Sequence, residues 1–238
     1  MAWNRERGSP LRVHASVKKI IAALAFLGAS ATGQAQTPAT IIDRAAKTYA
    51  DMQSVRAEFT QKLTNPLTGT TSTARGVMLR KDPNLLSVNF TDPRGDRVVA
   101  DGKWLWVYLP SSAPRQVIKV PANSNSQLGM VDPGGLFLTS PSSRFAVASA
   151  GTATVDGHKM NVISLVPKKA NSAFTRAKVW VDASDNSVRQ FEVTDLNGLT
   201  RLVTITKIQP NAKIAASEFR FTPPKNARIL DSSEFSGM

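Results

Sequence analysis

Residues 99–110 read Val99-Ala100-Asp101-Gly102-Lys103-Trp104-Leu105-Trp106-Val107-Tyr108-Leu109-Pro110, and this stretch decides the fold. An Asp-Gly pair between two runs of β-branched and aromatic residues is a hairpin signal. With a two-residue turn, Ala100 pairs with Lys103 and Val98 with Leu105, so Val98, Leu105 and Val107 share one face. Trp104, Trp106 and Tyr108 then occupy the other, and both faces of the strand are apolar. An antiparallel sheet normally wets one face. Something therefore has to cover the second: helices, a partner or a ligand.

Outward from this hairpin the two-residue period repeats. On 85–90 the side chains of Leu86, Val88 and Phe90 fall on one face, and on 55–63 Val55, Ala57, Phe59 and Leu63 alternate against Arg56, Glu58 and Lys62. Turn signals recur at roughly ten-residue spacing: Asn65-Pro66 with Gly69, Asp82-Pro83-Asn84, Asp92-Pro93-Arg94-Gly95, Asp156-Gly157, Asp182 to Asn186, and Asn197-Gly198. Between them lie about eleven candidate strands, at 55–64, 74–81, 85–91, 96–100, 103–109, 115–120, 144–149, 158–166, 174–181, 187–194 and 199–208, with a short FRF segment at 219–221. No room is left for crossover helices. The expectation is a mainly β fold with minor α: one large antiparallel sheet, strongly curved or partly closed.

Two segments break the rhythm. Thr37 to Gln53 has Ile41, Ile42, Ala45, Ala46, Tyr49 and Met52 at helical spacing, with Thr40 as the expected N-cap and Asp43 in the first turn. Asn123 to Pro141 has neither alternation nor repeating charge, yet holds Leu128, Met130, Val131, Leu136, Phe137 and Leu138 among Ser, Gly and Pro. It reads as a long connection with short helical turns, the second starting near Asp132-Pro133. Such a connection in a compact β domain is either a lid over a binding site or an apolar plug for the end of the sheet.

The chain has 238 residues with 30 Lys+Arg against 17 Asp+Glu, a net charge of +13. Arg5, Arg7, Arg12, Lys18 and Lys19 precede an apolar run from Ile20 to about Ala29, and Gly33-Gln34-Ala35 supplies small residues, the layout of a cleaved signal peptide over 1–35. The run is too short for a transmembrane anchor, which needs about twenty residues. A single domain over 36–238 is left, and cleavage after Ala35 leaves +9. That charge suits either a solvated face or attraction to anionic lipid or an acidic partner. The Lys and Arg are scattered without aromatic interleaving, so no nucleic-acid role is expected.

The chemical inventory is poor. The absence of Cys excludes disulfides, thiol nucleophiles, Fe–S clusters and a lipidated N-terminal Cys. The exported part holds one histidine, His158, beside the Asp156-Gly157 turn, and no G-x-S-x-G elbow accompanies it. Neither a catalytic triad nor a His/Cys metal site is expected, and no cofactor. A hydrolase using paired carboxylates would have to draw on Glu58, Glu192 and Glu218, which lie in or beside strands where such side chains usually face solvent. An outer-membrane barrel is disfavoured by strands of about six to nine residues.

Four strings, in order and spacing, resemble the periplasmic outer-membrane lipoprotein carrier family, LolA. They are Val55-Arg56-Ala57-Glu58-Phe59-Thr60-Gln61-Lys62, Pro83-Asn84-Leu85-Leu86, the 99–110 hairpin, and Phe219-Arg220-Phe221-Thr222-Pro223-Pro224, together spanning about 37–231. The resemblance implies an unclosed, strongly curved antiparallel β-barrel of about eleven strands, with the N-terminal helix and a short helical lid over its concave side and an apolar cavity between them that takes lipoprotein acyl chains. It also implies two partners, an inner-membrane ABC release complex and an outer-membrane lipoprotein receptor, served by a monomeric periplasmic chaperone. The family commonly has an Arg before the proline that matches Pro83, holding the empty cavity shut; this chain has Asp82 there, and the role is not carried over. Arg80 and Lys81 precede it on opposite faces.

The expected cavity lining is Leu86, Val88, Phe90, Val98, Leu105 and Val107 from the sheet and Leu128, Met130, Leu136, Phe137 and Leu138 from a lid over 123–141. The alternative is a periplasmic lipid or glycolipid carrier, or a lipoprotein-sensing domain, of the same fold.

Overall fold

The computed structural model describes residues 36–122, 136–169 and 174–231. The expected signal peptide, the 123–135 part of the expected lid and the turn at Asp132-Pro133 lie outside the described residues.

Helix α1 spans Pro38–Ala50. Its N-cap is Thr37, not Thr40: the Thr37 hydroxyl accepts the Thr40 backbone N–H at 3.2 Å, and Pro38 takes a first-turn position where a missing N–H costs nothing. Asp43 therefore falls beyond the first turn, and its carboxylate accepts a 2.6 Å hydrogen bond from Ser142 on the short helix α2 (Pro141–Arg144). Ile41, Ile42 and Ala45 bury the apolar stripe of α1 against the sheet.

Twelve strands form one sheet: β1 (Ser54–Asn65), β2 (Thr70–Lys81), β3 (Leu85–Asp92), β4 (Arg94–Asp101), β5 (Trp104–Tyr108), β6 (Gln116–Pro121), β7 (Phe145–Val155), β8 (His158–Pro167), β9 (Arg176–Asp182), β10 (Val188–Thr194), β11 (Thr200–Pro210) and β12 (Arg228–Asp231). Their order is β12-β6-β5-β4-β3-β2-β1-β11-β10-β9-β8-β7, so β12 and β7 are the two edges and the barrel stays unclosed. Every neighbouring pair is antiparallel except β12 on β6. The inner faces of β1, β8, β9 and β11 make one core with α1: Val55, Ala57, Ile163, Leu165, Val179, Val181, Val203 and Ile205.

The β4–β5 hairpin has a different register from the expected one and the same faces. Val98 pairs with Val107 and Ala100 with Leu105, two residues away from the two-residue-turn expectation. The wider turn is built by Asp101, whose Oδ1 accepts the backbone N–H groups of Lys103 and Trp104 at 2.9 and 2.7 Å while Oδ2 accepts the Trp106 indole N–H at 2.8 Å. Burial raises the Asp101 pKa, but these three bonds outweigh it and hold the carboxyl below its ordinary value. Because side chains alternate with period two, a two-residue slip returns each to its own face.

The aromatic face is covered by the C-terminal segment. Phe221 packs 5.8 Å from Trp106 and 6.0 Å from Tyr108, and the Lys119 ammonium sits 3.9 Å over the Trp104 ring. The expected FRF strand is instead the end of a single 3₁₀ turn, Ala216–Phe219, followed by extended chain leading to β12.

Candidate functional site

The concave face of the sheet encloses a cavity of about 800 Å³. The register fixes its rows. Phe59 on β1 lies abreast of Gly76 on β2 and Ile205 on β11; the next row is Gln61 with Ala74 and Val203; the next is Leu63 with Ser72 and Arg201. Val88 and Phe90 (β3), Val98 (β4), Leu105 and Val107 (β5), and Ile118 and Val120 (β6) continue the wall. Phe59 and Phe90 meet edge to face with centroids 5.7 Å apart.

Beneath α1 lies a narrower apolar recess of about 50 Å³, lined by Tyr49, Met52, Phe137, Leu138 and Val188 among others. Met78, Phe191 and Ile205 border both spaces and form the partition between them.

Of the residues expected to line a cavity, Val88, Phe90, Val98, Leu105 and Val107 stand in the wall of the larger space. Leu86 is buried in the core outside that wall. Phe137 and Leu138 line the recess under α1, Leu136 packs against the core, and Leu128 and Met130 lie outside the described residues. Phe59, Met78, Phe191, Val203, Ile205 and Arg201 line the cavity without having been singled out. The period-two pattern of β1 and β11 was the available signal.

Polarity is concentrated at one end. Gln61, Ser72, Thr73, Asp96, Ser111, Ser112 and Arg201 mark the rim. Asp96 is buried and its carboxylate is engaged by Ser111, which donates its backbone N–H at 3.0 Å and its hydroxyl at 2.6 Å. Burial lowers the pKa of the Arg201 guanidinium below its ordinary value, an effect partly offset by the Asp195 carboxylate.

Arg80 holds the far end of α1. It is buried, with Tyr49 beneath its guanidinium at 4.1 Å; Nη1 donates to Asp82 at 2.6 Å and Nη2 to the carbonyls of Tyr49, at 3.2 Å, and Met52. A cation is thus placed on the negative end of the helix dipole and on two carbonyls at its C-terminal end, of which that of Tyr49 also accepts the Met52 N–H at 3.3 Å. Asp82 serves here to orient Arg80.

Among the described residues, side chains suited to catalysis do not converge on a catalytic arrangement. His158 Nδ1 lies 2.8 Å from the buried Asp182 Oδ2, and the Ser184 hydroxyl donates to Asp182 Oδ1 at 2.6 Å. Serine and imidazole both contact the carboxylate, so the histidine does not bridge serine and acid as a triad requires. Glu58 faces Lys207 at 4.0 Å and Glu192 faces Lys178 at 3.6 Å. Among the described residues no group of three or more His, Asp or Glu side chains is placed to hold a metal. No helix among them is long and apolar enough to cross a membrane.

A one-sided, unclosed sheet wrapped around an apolar chamber, with a helix across its concave face, places the chain in the class of β-cup proteins with a hydrophobic cavity. The model of the family described as outer membrane lipoprotein carrier protein LolA matches residues 50–222, and the chain belongs to that family. An outer-membrane lipoprotein carrier protein of Cupriavidus necator is 29% identical over 220 residues, covering 89% of this chain and 97% of that one. Another, from Pectobacterium carotovorum subsp. carotovorum, is 28% identical over 189 residues, covering 77% and 84%. A crystal structure of an uncharacterized conserved protein from Thermus thermophilus shares the fold, with a TM-score of 0.50 and 14% identity, covering 80% of this chain and 96% of that one.

Proposed function

We propose that this protein is a periplasmic chaperone that carries lipoproteins from the inner to the outer membrane with their acyl chains held in the concave cavity. An inner-membrane ABC release complex loads it and an outer-membrane receptor unloads it. The observation that carries this reading is the size and lining of the cavity. Each methylene left in water costs about 0.8 kcal/mol, so a soluble carrier must shield whole chains. A 150 Å³ apolar cavity accepts benzene, or about 25 Å³ per carbon, and on that scale about 800 Å³ accommodates about thirty carbons, near two sixteen-carbon chains.

Loading replaces contacts between the covering segments and the sheet with acyl contacts, and a partner with a better cavity reverses it. No covalent step is needed. Family membership and the carrier names of the relatives support the reading. Native mass spectrometry of protein purified from the periplasm tests it. Co-purifying lipid or lipopeptide, or stoichiometric uptake of a fluorescent acyl probe, is expected; apo protein that takes up no probe would overturn it.

A further inference from the structure

Among the described residues four large apolar side chains stand in solvent, and the two most exposed share one place. Leu67, 82% exposed, lies in the turn between β1 and β2, and Leu196, 73% exposed, in the turn between β10 and β11. β1 and β11 are neighbours with Thr64 abreast of Thr200, so both turns project from the same end of the sheet. They also pack together: a Cβ on Gly198 would stand 3.4 Å from Pro66 Cγ. Leu63 and Ser72, the last cavity-lining pair before the first turn, belong to the polar rim, and the turns begin two residues of strand, about 7 Å, beyond that row. Each turn satisfies its own backbone. Asn65 Oδ1 accepts the N–H groups of Leu67 and Thr68 at 3.0 and 3.4 Å, and Asp195 Oδ1 accepts those of Asn197 and Leu199 at 2.8 and 2.9 Å. N–H groups paired in this way can leave water at little cost. The Asp195 charge opposes such a move, and it is tempered by those two donors and by the nearby Arg201 guanidinium.

We propose that Leu67 and Leu196 form a two-pronged apolar tip that enters the interfacial region of a lipid bilayer and brings the cavity rim to the membrane surface. The insertion stands on exposure and turn geometry. Its purpose rests on the acyl-carrier reading, since a chain that leaves the bilayer at the rim has the shortest passage through water. Paired exposed apolar side chains mark either a membrane or a protein contact. A bilayer is favoured because leucine is under-represented, and Trp, Tyr and Arg enriched, among the residues that dominate protein interfaces. The +9 charge of residues 36–238 adds attraction to an anionic surface.

The test is co-flotation of the purified protein with vesicles of equimolar phosphatidylethanolamine and phosphatidylglycerol. Leu67→Ser and Leu196→Ser are each expected to weaken vesicle binding about tenfold and the double variant about a hundredfold, with the unfolding temperature and the uptake of a soluble acyl probe unchanged. Leu67→Trp adds a tryptophan at the tip, and phospholipid brominated on its chains should quench the added emission. A parent protein that does not float with the vesicles, a double variant that floats as well as the parent, or quenching of Leu67→Trp no greater than that of the parent would overturn the insertion. A parent that sediments as a dimer which the double variant dissolves would assign the leucines to a contact between copies and overturn it as well. Leucine-dependent vesicle binding by a parent that takes up no acyl probe would support the insertion and overturn the carrier reading alone.

Discussion

Replacing Arg80 by Met tests whether α1 is tied down by charge as well as by packing. The substitution keeps an aliphatic stem beside Tyr49 and removes three donated hydrogen bonds, to Asp82 and to the carbonyls of Tyr49 and Met52. Bonds with a charged partner contribute about 1.5–3 kcal/mol each, and the Tyr49 carbonyl keeps the Met52 N–H when Arg80 is replaced. Asp82 is 44% exposed, so its share is screened, and the two part-buried carbonyl bonds, each near the lower end of that range, dominate at about 3–4 kcal/mol in total. For a domain of this length that loss lowers Tm by roughly 10 °C. Thermal unfolding followed by circular dichroism reads it, with Asp82→Asn as a milder control. A Tm for Arg80→Met within about 2 °C of the parent would refute the claim that Arg80 holds the end of the helix.

Gly76→Ala should lower the urea midpoint more than a typical strand Gly→Ala change, because its Cβ would stand 2.5 Å from the Asn89 carbonyl oxygen and 3.1 Å from both the Phe59 ring and the Phe90 Cα; an unchanged midpoint would show that β3 yields freely. The buried Asp182 carboxyl is raised by desolvation, but the two Ser184 hydrogen bonds and the charges of Arg189 and His158 outweigh it and hold the pKa below its ordinary value. Its stabilising contribution is complete above the unfolded pKa near 3.9 and is lost as pH falls through the lower folded value, so Asp182→Asn should flatten acid unfolding between pH 5 and the acid limit. An acid transition of the same steepness in both proteins would contradict this. An acyl chain brominated near its end should quench tryptophan emission only weakly, since Trp104 and Trp106 lie on the face of β5 opposite Leu105 and Val107, and Trp180 on the face of β9 opposite the core residues Val179 and Val181. Strong quenching by a bound chain would place the ligand on the outer face.

Much of the fold was legible because period two is a local property. The alternation at Val55, Ala57 and Phe59, and again at Leu86, Val88 and Phe90, fixed which side chains share a face before any pairing was known. The Asp101 turn shows the limit: an Asp-Gly dipeptide suggested a two-residue loop, while the carboxylate collected three donors and widened it. The cover on the aromatic face was not legible, because Phe221 lies more than a hundred residues from Trp106 and Tyr108. β12 is four residues long and pairs in parallel with β6, too short to show a period. In the site, Leu86 shares the face of Val88 yet lies outside the cavity wall, since strand alternation gives the face and not the depth along it. Arg201 went unremarked for the converse reason: a cation in an alternating strand reads as solvent-facing until Leu63 and Ser72 are seen beside it.

A carrier of this kind holds acyl chains in its concave cavity during transfer. The direct measurement is extraction: vesicles carrying a labelled diacylglyceryl lipopeptide are incubated with the protein and the label in the soluble fraction is quantified, alongside Leu105→Glu, which puts an unpaired carboxylate into the cavity wall. A soluble one-to-one complex is expected with the parent protein, and label retained by the vesicles with the variant. Label that stays on the vesicles with both proteins, or leaves equally with both, would contradict it.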